Sequence, residues 1–80
     1  MKLKKFLKMV DSVDDIILWS DNDNAKEPLY KGCILYVPYY LLNHKIVTHM
    51  EDGDKPICIV HYENEYGTKI AAYNVVLEDD

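Results

Sequence analysis

The sequence predicts an α+β domain. A short N-terminal helix packs on a four- to five-stranded, strongly curved antiparallel sheet or small barrel, with a short helical turn near residues 38–43. Three observations lead there. Leu3, Phe6, Leu7 and Val10 fall at i, i+3, i+4 and i+7, the spacing that gathers apolar side chains on one helical face. β-branched and aromatic residues crowd the later segments, which are separated by polar turns. Within those segments the apolar residues are consecutive rather than alternate, so both faces of the sheet need cover.

Each element follows from local chemistry. Lys2, Lys4, Lys5 and Lys8 occupy the rest of the first helix, over residues 2–10, which ends near Asp11 and Ser12. A helix lying on a membrane has a similar appearance, but this stripe is too short for stable binding, and packing on the chain's own sheet is expected. Ile16, Ile17, Leu18 and Trp19 place a first strand over residues 15–20. Asp21, Asn22, Asp23, Asn24 and Pro28 form a polar connection to a second, over 29–37, containing Cys33, Ile34, Leu35, Tyr36 and Val37. Pro38 presets a helical first turn. Residues 45–50 read as a third strand, and Asp52, Gly53 and Asp54 as the hairpin signal leading to a fourth over 57–62. Tyr66, Gly67 and Thr68 turn the chain into a fifth, over 69–77, where Ala71 and Ala72 would suit a helix but Val75 and Val76 favour a strand.

At 80 residues, 49% hydrophobic and 29% charged, the chain is sized for one small folded domain, residues 1–80, rather than for separate catalytic and substrate lobes. A ten-residue helix is about 15 Å long and shields only part of one sheet face. The remaining cover must come from closure into a barrel, from the 39–42 segment folding across, or from a second chain, so a homodimer is expected.

Charge narrows the function classes. All nine basic residues are lysine against 14 acids, a net charge of −5. Without a guanidinium there is no bidentate reading of guanine and no arginine finger, and the negative field opposes nucleic acid and anionic membranes. Cys33 and Cys58 each lie among apolar neighbours and read as small buried hydrophobes. No secretory signal or apolar run of membrane-spanning length is read, so a reducing cytoplasmic setting is expected.

Motifs for chemistry are incomplete. Asp21 and Asp23 begin a calcium-loop pattern that Ala25, Lys26 and Gly32 break. His44, His49 and His61 show no zinc-ligand spacing with the cysteines, and Cys58 and His61 point to opposite faces of one strand. Ser12 and Ser20 sit at element ends, outside any nucleophile elbow, and Gly32, Gly53 and Gly67 are too dispersed to cradle a phosphate. No catalytic residue, metal or cofactor is expected.

Tyrosine is the unusual feature, with seven in 80 residues, among them Tyr36, Tyr39 and Tyr40 in one run. Tyrosine buries large area at small rotamer cost and retains one polar end, which suits contact surfaces. A small core accounts for four or five of them. Tyr39 and Tyr40 diverge by about 100° in a helical turn, so at least one faces out. Asp11, Asp14, Asp15, Asp21 and Asp23 along one edge would imitate nucleic-acid phosphates, although a solvated acidic face is the simpler reading.

Leu3, Lys4, Lys5, Phe6, Leu7 and Lys8, then Tyr30, Lys31 and Gly32, and Pro38, Tyr39, Tyr40, Leu41 and Leu42, together resemble small phage and prophage accessory proteins of low-GC bacteria. The resemblance spans about half the chain. It implies a bacterial host cytoplasm and, for some relatives, inhibition of host defence in the manner of anti-CRISPR proteins. A helix followed by five strands is also similar to the Sm-like small barrel, though without its nucleotide-binding pattern. The expected function is non-enzymatic binding and blockade of a protein partner through Trp19, Asp21, Asp23, Tyr39 and Tyr40. The alternatives are a small-molecule or nucleotide sponge and a structural homo-oligomer.

Overall fold

A computed structural model describes residues 1–22, 24–48 and 55–79. Helix α1 spans Leu3–Leu7, shorter than the 2–10 of the apolar stripe. Its N-cap, Lys2, contributes no side-chain bond. Instead the Leu3 and Lys4 N–H groups donate to the carbonyls of His44 and Leu42 at 2.9 and 3.0 Å. The unpaired donors of the first turn are therefore satisfied by a distant segment, and so short a helix persists through packing rather than propensity. Leu3 and Phe6 are buried, while Met9 is exposed after the helix has ended.

The strands are β1 (Asp15–Ser20), β2 (Tyr30–Cys33), β3 (Ile57–Glu63) and β4 (Lys69–Leu77), in the order β2-β1-β4-β3. β1 with β2 and β3 with β4 are antiparallel hairpin pairs, whereas β1 and β4 are parallel. Among the described residues the expectation of a wholly antiparallel sheet or small barrel is thus corrected to a mixed four-stranded sheet that is not closed. The cause is the route of the chain between β2 on one edge and β3 on the other. The described part of that route, residues 34–48, passes over the α1 side and sets the second hairpin alongside the first with its inner strand parallel to β1.

Two expected strands change character. The second stops at Cys33, because Ile34–Tyr36 winds into a 3₁₀ turn whose Ile34 and Leu35 N–H groups donate to Asp14 and Ser12 carbonyls at 2.9 and 3.0 Å. The third is reduced to two isolated bridges, Lys2↔Lys45 and Ile46↔Leu77; His49, Met50 and the expected Asp52, Gly53 and Asp54 turn lie outside the described residues. The helical turn after Pro38 is present as a 3₁₀ turn over Tyr39–Leu41, and residues 69–77 are strand throughout.

The register sorts the side chains. Ile16 lies beside Tyr73 and Leu18 beside Val75, facing α1. Leu3, Phe6, Ile34, Leu41, Ile46 and Leu77 complete this cluster, and Phe6 meets Tyr73 edge to face at 5.6 Å. The opposite face carries Ile17, Trp19, Cys58, Val60, Tyr62, Ala72 and Val76 beside the polar Asp15, Lys31 and Asn74, and none of these belongs to the core cluster around α1. Its centre is apolar. Lys31 and Tyr62, from the two edge strands, meet over it with Nζ 4.2 Å from the ring centroid, and Ile17 and Ala72 are buried there at 8% and 2% exposure.

Candidate functional site: an exposed tyrosine ridge

The segment leaving β2 is built around alternating anchors and exposed side chains. Ile34 and Leu41 bury into the core, and each 3₁₀ turn closes on itself, Val37 N–H to Ile34 O and Leu42 N–H to Tyr39 O, both at 3.1 Å. Between those anchors Leu35, Tyr36, Tyr39 and Tyr40 are 61%, 72%, 83% and 64% exposed. The Tyr39 and Tyr40 rings meet edge to face at 6.4 Å. A 3₁₀ turn places successive side chains about 120° apart, so one anchor per turn leaves its neighbours outside. Pro38 fixes the junction between the turns at φ −58°.

Both Tyr39 and Tyr40 are therefore exposed, where the sequence required only one. Of the seven tyrosines, Tyr30, Tyr62 and Tyr73 are half-buried and the other four exposed, fewer inward than the four or five expected. Tyr36 and Leu35 join the ridge although sequence reasoning placed them in a strand; the signal for them was their contiguity with Pro38 and Tyr39.

The other expected contact residues lie elsewhere. Trp19 is half-buried on the sheet face opposite α1, its Nε1–H donating to Asn74 Oδ1 at 2.7 Å. Asp21 is exposed beyond the end of β1, and its Oδ1 accepts the Asp79 N–H at 2.8 Å. Asp23 lies outside the described residues. The structure thus brings Tyr39 and Tyr40 together but leaves Trp19 on the other side of the sheet. Of the acids expected along one edge, Asp14 and Asp15 stand at the start of β1 and Asp21 past its end, about 20 Å apart along the strand.

Other chemistry is sparse. Cys33 and Cys58 are free thiols on opposite edge strands, each half-buried rather than fully enclosed, and Cys33 Sγ donates to Ser12 O at 3.2 Å. His44 Nδ1 lies 3.2 Å from Glu78 O. Among the described residues no three His, Cys, Asp or Glu side chains gather as a metal site, and no helix is long and apolar enough to cross a membrane. A depression of about 130 Å³ is lined by Asp14, Ile59, Ala71, Ala72 and Tyr73, below the roughly 300–1,000 Å³ usual for small-molecule sites. Burial, and secondarily Cys33, Asp15 and Tyr36, raises the Tyr30 hydroxyl above its ordinary pKa of 10.0. Burial followed by Asp15 does the same for Tyr62.

Comparison with known proteins finds no family model, no curated protein and no solved structure that matches this chain.

Proposed function

We propose that this chain is a non-enzymatic accessory protein of phage or prophage type that binds a protein partner and blocks it, host-defence machinery being the class of target its resemblance implies. The observation that carries the reading is the ridge of Leu35, Tyr36, Tyr39 and Tyr40, exposed on turns whose ends are anchored in the core. Large aromatic side chains on a preorganised backbone lose little entropy on association, which is what contact hot spots require. The same reading takes the sheet as strongly curved, since the contact between Lys31 and Tyr62 spans the distance between its edge strands.

Affinity capture from bacterial host lysate tests it, with the bound protein quantified for wild type, for Tyr39→Ser combined with Tyr40→Ser, and for Tyr66→Ser. Tyr66 is as exposed as Tyr39, at 83%, but lies in the turn between β3 and β4. The ridge double variant is expected to lose the captured partner while unfolding at the wild-type urea concentration, because surface substitutions cost within about 0.5 kcal/mol. The Tyr66 variant keeps the partner. Capture that survives the ridge double variant would refute the assignment.

A further inference from the structure

The two strands bordering the sheet differ in how they are shielded. β2 is four residues long, carries Lys31, and gives way to a 3₁₀ turn at Ile34. A short length and a lysine are devices by which sheet edges avoid pairing with another chain. β3 has neither. It runs for seven residues, contains no lysine or proline, and pairs in unbroken register from Ile57↔Val75 to Glu63↔Lys69. Among the described residues it pairs on one side only.

The flanking hydrogen bonds fix which backbone groups face outward. Val76 N–H donates to Pro56 O at 3.0 Å, and Asn64 N–H donates to Thr68 O at 2.9 Å. Both pairs continue the β3–β4 register. Opposed residues of an antiparallel ladder alternate between exchanging bonds and not exchanging them. Cys58, Val60 and Tyr62 therefore direct N–H and C=O toward β4, and Ile57, Ile59, His61 and Glu63 direct theirs away from it. Ile59 adds a side chain that is 60% exposed.

We propose that β3 is the interface of a homodimer, in which two copies pair this strand antiparallel about a twofold axis at Val60 and so join their four-stranded sheets into one. In this register Ile57 opposes Glu63 of the second copy and Ile59 opposes its His61, so every outward-facing residue of β3 finds a partner. Moving the axis to Ile59 or to His61 leaves Glu63 or Ile57 beyond the end of the other strand. Charge favours the antiparallel pairing itself. Lys55, exposed just before β3, comes to the far end of the other copy's strand, where Glu63 and Glu65 are exposed, and the twofold repeats this pairing at the opposite end. The interface uses no residue of the tyrosine ridge, so it stands or falls separately from partner blockade.

Sedimentation equilibrium over a range of concentrations tests the proposal, with wild type expected at twice the 9.4 kDa chain mass. Ile59→Pro removes one outward N–H and none from the β4 ladder, a position where edge strands accept proline. Ile59→Lys keeps the backbone and sets an ammonium at the edge, so it carries the test if the proline variant does not fold. Each is expected at the mass of one chain, with the far-UV circular dichroism of wild type. In wild type the Ile59 and His61 amides should exchange faster on dilution while those of Val60 and Tyr62 stay protected. A wild-type mass of one chain at every concentration would overturn the proposal. So would a dimer that survives Ile59→Lys, including one that dissociates instead with Trp19→Lys on the sheet face opposite α1.

Discussion

Gly32 shows how one residue sets the course of the chain. Its φ of +154° is one that side chains rarely adopt, and an added Cβ would meet the Tyr30 hydroxyl oxygen at 3.1 Å. Tyr30 lies over the glycine on the same strand face, and its hydroxyl donates to Cys33 O at 2.6 Å, tying off β2 where the 3₁₀ turn begins. Gly32→Ala is expected to cost about 1–3 kcal/mol, since both the backbone and the tyrosine must move; urea unfolding measures it. The hydroxyl of Tyr30 also makes stability depend on alkaline pH. Burial holds the folded-state pKa above the ordinary 10.0, so the fold favours the neutral phenol. The stabilisation is fully present below pH 10 and is lost as pH rises through the folded-state value. Urea midpoints should fall above about pH 10, and more steeply for wild type than for Tyr30→Phe. An equal slope in the two proteins would remove Tyr30 as the cause.

At the scale of elements, what was legible in the sequence depended on whether the signal was local. β1 and β4 occupy the expected 15–20 and 69–77, because dense β-branched and aromatic runs ended by turn residues leave little alternative. The stripe of Leu3 and Phe6 was equally plain, but the extent of α1 was not, since the Leu42 and His44 carbonyls that accept its first N–H groups decide where so short a helix is worth forming. Ile34, Leu35 and Tyr36 have strand-like composition and are not strand. Their composition records burial and exposure along a turn, while their backbone follows bonds to Ser12 and Asp14. The parallel pairing of β1 and β4 was hidden for a similar reason. Consecutive apolar residues match burial on both faces at residues 16–18 and 75–77 but not in β3, where Ile59, His61 and Glu63 are exposed, and the same pattern suits a central strand of a mixed sheet and a barrel strand alike. For the candidate site, Tyr39 and Tyr40 were readable as neighbours that diverge, whereas the separation of Trp19 from them depends on strand parity and on the path of residues 34–48 across the opposite face.

On the scale of the whole molecule, the two inner strands come from opposite parts of the chain. β4 pairs with both β1 and β3, while among the described residues β2 pairs with β1 only. Val75 and Leu77 are fully buried in the same cluster as Leu3 and Ile16. Deleting residues 69–77 therefore removes the partner of both remaining halves rather than trimming an edge, and the shortened chain is expected to lack a cooperative thermal transition by circular dichroism. A retained transition would show that the first hairpin and α1 suffice by themselves. During synthesis this arrangement imposes an order. A ribosome exposes the greasy Ile16 and Leu18 early and delivers β4, the second of their two neighbour strands, only after some fifty further residues, so the nascent chain cannot secure its core hairpin by hairpin. Until β4 arrives, the side of β1 that it covers stays without its partner strand, and slower elongation through that interval is expected to lower the yield of folded chain.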